Sequence, residues 1–259
     1  MIEAAKLNQE GLSYFQRGNY RVALEKFMGA AAKDAQNAEY ANNAGMCHYQ
    51  LTQFANARKL FEKAIKLKPE LPLYHFNAGL VAMHQQRLKD AEKHFSKVVA
   101  LDDDNAAAWS HLGLLSYNRK KFAAASSSWE KAAALKRDAE LENNLGMAYL
   151  EQNRVGEAEE RFKKSVAINA RFALAHYNLG VLYQNKKQDY RKAAEHYEQA
   201  VRSQPQNYAA YMNLGIVYTR LGDNARAIQN LEEFLRFAPP QLSRQVADAK
   251  KRLRELRAN

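Results

Sequence analysis

Seven glycines, at 11, 45, 79, 113, 146, 180 and 215, recur every 33 to 35 residues along nearly all of the 259-residue chain. A period of this length means one small unit copied and stacked, because a unit so short cannot bury its apolar face alone. The surroundings of each glycine repeat as well. Twelve residues on, or thirteen in the sixth copy, stands an alanine: Ala23, Ala57, Ala91, Ala125, Ala158, Ala193 and Ala227. Four residues after each alanine comes a large apolar side chain: Phe27, Phe61, Phe95, Trp129, Phe162, Tyr197 and Leu231. Each copy holds two helical apolar patterns separated by a short polar turn such as QRGN, LTQ or RLGD. Glycine and alanine at fixed places predict two helices that approach closely, and the bulky residue fills the space between one hairpin and the next.

This frame resembles the tetratricopeptide repeat, a 34-residue helix–turn–helix with a W-x2-L-G-x2-Y pattern, a later A-x3-F and a closing proline. The copy from Trp109 and the sixth and seventh copies fit it best, and the closing proline stands as Pro69, Pro205 and Pro239. The resemblance implies an all-α fold: a right-handed α-solenoid superhelix of seven helix–turn–helix repeats. Their expected bounds are 4–37, 38–71, 72–105, 106–138, 139–172, 173–207 and 208–241, as a single array over 4–241. The fourth repeat is one residue short (LKRDAE) and the sixth one residue long (NKKQDY), so local adjustments are expected there. The end, 242–259, places Leu242, Val246, Ala249, Leu253 and Leu256 on one helical face. It reads as the helix that caps the array, with self-association through this tail or the array ends as the alternative.

Charge has to be placed before it can be interpreted. The net charge is +11, which invites a polyanion as partner. In the family the first helix of each repeat lines the concave groove, and there the charges are few: Glu39, Glu140, Glu151 and Arg220. The lysines and arginines fall on second helices and turns, and that is no continuous track for a phosphate backbone, which argues against nucleic acid. Two basic clusters remain for an acidic partner, an anionic surface or RNA: Arg119-Lys120-Lys121 and the segment from Lys250 to Arg257.

The groove wall carries an unusual row. Two residues before the glycines stand Gln9, Asn43, Asn77, His111, Asn144, Asn178 and Asn213. Asparagine is less favourable than alanine inside a helix by up to ~0.7 kcal/mol, so five of them at one repeat position need a reason. A primary amide offers donors and an acceptor, and so can pair with the backbone of an extended peptide. The row is similar to the asparagine ladder in the superhelix of O-linked N-acetylglucosamine transferase, from which it departs at Gln9 and His111. The other reading is that these amides tie neighbouring first helices together, and the sequence leaves both open. One residue after each glycine lies an apolar floor: Leu12, Met46, Leu80, Leu114, Met147, Val181 and Ile216. Aromatic residues flank it at Phe15, Tyr49, Phe76, Tyr117 and Tyr177. The basic clamp with which some members hold a terminal carboxylate is missing, because that floor is wholly apolar.

No catalytic constellation is legible. The seven histidines include no pair at i, i+4 and no H-E-x-x-H. Ser126-Ser127-Ser128 lacks the glycines of a nucleophile elbow, and no glycine-rich phosphate loop occurs. The expectation is therefore no enzyme, no cofactor and no metal. Cys47, the single cysteine, is expected to be a small buried hydrophobe. No apolar run approaches the ~18 residues of a membrane span. No signal peptide is visible and no lipobox; a cytoplasmic location is the default, and a periplasmic one stays open. The expected function is a protein-interaction scaffold that takes a protein or peptide in its groove. The alternatives are an assembly factor of a membrane or secretion machine, similar to the tetratricopeptide proteins of type IV pilus biogenesis, and binding to RNA or an anionic surface.

Overall fold

The computed structural model describes residues 2–258, and among these it has fifteen α-helices and no strand. They form two compact units, one up to Lys120 and one from Lys121 on.

The first unit holds α1 (Ile2–Gln16), α2 (Tyr20–Lys33), α3 (Ala38–Gln50), α4 (Phe54–Leu67), α5 (Pro72–His84), α6 (Leu88–Leu101) and α7 (Ala106–Asn118). The second holds α8 (Phe122–Leu135), α9 (Ala139–Glu151), α10 (Val155–Ile168), α11 (Ala173–Leu182), α12 (Tyr190–Ser203), α13 (Tyr208–Leu221), α14 (Asn224–Phe237) and α15 (Ser243–Ala258). Within each unit every helix packs on the next, and first helices also touch across a hairpin, α3 on α5 and α9 on α11. Local chemistry starts several helices. Asn37, Asn105, Asp138, Asp189, Asn207 and Asp223 each cap a helix by accepting a hydrogen bond from a backbone N–H of its first turn.

The recurrent glycines have a steric cause. A Cβ on Gly45 would lie 2.7 Å from the Phe61 ring, and one on Gly180 would lie 2.5 Å from the Tyr197 ring. The bulky residue thus rests on the glycine of its own hairpin. It also meets the next hairpin: Phe27 clusters with Ala44 and Cys47, and Phe61 with Ala78 and Val81. The repeat pattern places that side chain only between hairpins; the structure puts it across both contacts. Cys47 is fully buried, and burial pushes its thiol up to about 12.

Each turn from first to second helix passes through a residue with positive φ: Gly18, Thr52, Gln86, Lys120, Asn153, Gln188 and Gly222. In the sixth repeat the extra residue is absorbed by a π-turn, Tyr183–Lys187, that widens the end of α11 before Gln188. At the C-terminal end, α15 lays Ala249 and Leu253 on Leu231 and Phe234 of α14, with Leu242, Val246 and Leu256 around them.

Candidate functional site

The asparagine row is a set of hydrogen bonds between successive repeats. In the first unit these join into one chain. Asn77 Nδ2 donates to Asn42 Oδ1 at 2.8 Å, and Asn42 Nδ2 donates to Asn43 Oδ1 at 3.4 Å. Asn43 Nδ2 donates to Asn8 Oδ1 at 2.9 Å, and Asn8 Nδ2 donates to Glu39 Oε1 at 3.0 Å. In the second unit Asn178 Nδ2 donates to Asn143 Oδ1 at 2.8 Å, and Asn213 Nδ2 donates to the Tyr177 hydroxyl at 3.3 Å. These four bonds between repeats share one rule: the side chain two before one glycine reaches back to the side chain three before the previous one.

Burial separates the two positions. Asn8, Asn42 and Asn143 are buried, and so is Asn77 of the outer row, at 5% exposure. Asn43, Asn144, Asn178 and Asn213 are half-buried. Asn143 accepts from Asn178, but its own Nδ2 is buried with no partner. In the first unit Glu39 serves Asn8 in that capacity; the equivalent residue beside Asn143 is Leu174. At His111 the row is aromatic. Its ring stacks on Phe95 with centroids 4.6 Å apart and lies 5.7 Å from Phe76, and burial lowers its pKa.

The apolar floor is half-buried at Leu12, Met46, Leu80, Met147, Val181 and Ile216, and exposed at Leu114. In the first unit Leu12, Phe15, Phe27, Asn43 and Met46 line a small cavity of about 90 Å³. Tyr49 is tied up, its hydroxyl 2.8 Å from His84 Nε2, and its ring meets Phe54 edge-on. Tyr117 is half-buried in α7. The second unit has a larger recess of about 310 Å³ between α11, α13, α14 and the start of α15. Tyr177, Tyr208, Met212, Asn213 and Leu242 line it, together with Gln245. Tyr177, Met212 and Asn213 stand at groove positions of the repeat frame; Tyr208, Leu242 and Gln245 do not. Leu242 and Gln245 belong to the tail, outside the repeat frame, and no periodic signal could have assigned them to the wall.

Two side-chain pairs escaped the sequence altogether. His75 Nδ1 lies 3.4 Å from His94 Nδ1, and His176 Nδ1 lies 3.3 Å from His196 Nδ1. Each pair joins the two helices of one hairpin, at separations of 19 and 20 residues, where a search for ligands within one helix sees nothing. No group of three or more His, Cys, Asp or Glu side chains gathers among the described residues in a way that could hold a metal. No helix there is long and apolar enough to cross a membrane.

The basic tail is partly neutralised. Arg252 pairs with Asp248 at 2.8 Å and Arg257 pairs with Glu232 of α14 at 2.5 Å. Arg119, of the basic turn, pairs with Glu92.

Comparison with known proteins agrees with this architecture. A family model described as tetratricopeptide repeat matches residues 8–72, 48–106, 76–141 and 184–241, and a TPR repeat model matches 146–187. The chain is 31% identical over 104 residues to BBSome complex member BBS4 of Bos taurus, a match that covers 40% of this chain and 20% of that one. The structure of YrrB, a TPR protein with an unusual peptide-binding site, is similar at a TM-score of 0.64 and 23% identity, over 71% of this chain and 95% of that one. PilW, a widely conserved type IV pilus biogenesis factor, is similar at a TM-score of 0.64 and 16% identity, over 76% and 91%. These structural likenesses concern the fold. With the glycine frame, the paired helices and family models that span most of its length, the chain belongs to the tetratricopeptide-repeat family.

Proposed function

We propose that the protein is a non-enzymatic interaction scaffold that binds a peptide or partner segment along the wall built by the first helices of its repeats. The observation that carries this reading is the floor. Six of its seven side chains, one after each glycine, are half-buried and the seventh, Leu114, is exposed; Leu73 and Leu174, each six before a glycine on a first helix, are exposed as well. Apolar surface repeated in this way marks a binding face. The second unit also has the recess lined by Tyr177, Tyr208 and Met212, of a size that takes one or two side chains. Apolar contacts of this kind carry the binding, because Asn43, Asn77, Asn178 and Asn213 already give an amide donor to the neighbouring repeat. The half-buried Asn43, Asn144, Asn178 and Asn213 offer a ligand backbone only what the bracing leaves over. At ~0.5–1.5 kcal/mol net per hydrogen bond, four such contacts reach only the lower end of the cost of immobilising a peptide, on the order of 4–15 kcal/mol.

The other readings gain less support. The likeness to PilW is one of fold and favours no particular assembly. Binding of RNA or an anionic surface through the tail is weakened by the ion pairs that Arg252 and Arg257 make.

The test is selection of peptides from a random library on the full chain, followed by titration against Leu80→Asp, Val181→Asp and, at an exposed place on a second helix, Lys63→Asp. The expected result is a loss of tenfold or more for the first two and none for the third, with little dependence on salt. Selected peptides that bind all three variants alike, or that are released as salt rises, would refute the reading.

A further inference from the structure

The two histidine pairs occupy equivalent places, in the third and sixth repeats, and share one chemistry. His75 Nε2 lies 2.8 Å from the carbonyl of Pro69, and His176 Nε2 lies 3.2 Å from that of Ala170. A carbonyl only accepts, so both Nε2 atoms carry hydrogen and both neutral rings present a bare Nδ1. The partner histidine must then donate: His94 Nδ1–H to His75, and His196 Nδ1–H to His176. The ring centroids are 5.7 and 5.5 Å apart, longer than the nitrogen separations by about two imidazole radii, so the nitrogens face each other head-on. This is the line of a proton bridge. A metal ion would need about 2.0 Å to each nitrogen, and the gaps of 3.4 and 3.3 Å are too short to hold one on that line.

We propose that these pairs are acid-sensitive latches, each of which ties the turn before a hairpin through its first helix to its second and weakens as the pair takes up a further proton. His75 and His176 are buried and His94 and His196 half-buried, so added charge has little water to stabilise it. The neighbours are mostly cationic. His94 faces His75 of α5, Lys93 and Asp90 of α6, and Arg87 of the turn, and Asp90 is already paired with Arg87 at 2.7 Å. His196 faces His176 of α11, Lys192 of α12, and Lys163 and Glu159 of α10, and its ring stacks parallel to Tyr183 of the π-turn. Glu159 is shared between Lys163, Lys187 and the Tyr183 hydroxyl.

Burial, with the paired imidazole second, lowers both His94 and His196 to about 4 from an ordinary 6.5. The folded state thus binds fewer protons than the unfolded one. The latch stabilises in full above pH 6.5, loses strength as pH falls, and loses no more below about 4. At pH 5 opening of either hairpin should be favoured by about thirtyfold over its value at pH 7.5.

Hydrogen exchange of the full chain at pH 7.5 and 5.0, with imidazole titration by NMR, tests this. Protection should fall by about that factor in α5–α6 and α11–α12, and far less in α9–α10 and α13–α14, which contain no histidine. The double variant His94→Gln, His196→Gln keeps a donor at each site and removes one of the two imidazoles of each pair, and should lose most of the hairpin-specific response. Titration of His94 and His196 near 6.5 in the wild type overturns the proposal without any variant. So does an acid response that the double variant retains in full.

Discussion

Asn143 and Asn144 are adjacent in the sequence and do different work. Asn143 is an interior acceptor for Asn178, while Asn144 stands in the half-buried outer row. The sequence displays both columns, but it cannot show that one reaches back to the other. That depends on the offset between neighbouring first helices, which is a packing quantity. The structure therefore decides that bracing hydrogen bonds exist, and the energetic consequence follows. Asn43→Ala removes a donor and leaves the buried Asn8 Oδ1 short of a partner, a loss of ~1–3 kcal/mol that outweighs the gain in helix propensity; a thermal melt reads it. The glycines were legible for the right reason, and Gly45→Ala should destabilise by about 1–3 kcal/mol through the clash with Phe61. The positive-φ turn residues were not legible, since only Gly18 and Gly222 among them are glycine. Thr52 is β-branched at φ 58°. Thr52→Gly should therefore stabilise by about 0.5–1 kcal/mol, the strain relieved less the extra entropy of the unfolded chain. A melting temperature that falls would show that the turn tolerates threonine without cost.

At the scale of elements, helix count and pairing were readable because a 34-residue period leaves room for little else. The tail was readable as one amphipathic helix, and α15 uses that stripe within the chain, against Leu231 and Phe234. Removal of residues 242–259 would expose both side chains. Burial of a large apolar side chain contributes about 1.5–3 kcal/mol, so the truncated chain should melt at lower temperature and self-associate, as sedimentation would report. A truncated chain that remains monomeric and equally stable would show that α15 covers nothing of consequence. The histidine pairs were invisible for the opposite reason. Their partners lie across a hairpin turn, and no periodicity within one helix brings them together.

For the molecule as a whole, the net charge of +11 was the feature most apt to mislead. Many of the lysines and arginines sit in ion pairs, among them Lys97 with Glu70 and the half-buried Arg161 with Glu142, which take those cations out of a basic surface without altering the net excess. An exposed pair such as Lys97 with Glu70 contributes little to stability. On the function proposed above, the apolar floor and not the charge carries binding. What decides between the two faces is where a ligand lies. A photoreactive benzoyl side chain placed singly at Leu80, Val181 or Met212 on the first helices, and at Lys63 or Lys164 on second helices, would be irradiated with a library-selected peptide. Peptide adducts are expected at the first three positions and at neither of the last two. Adducts at Lys63 or Lys164, with none at the first three, would move the ligand off the wall and refute binding along the floor.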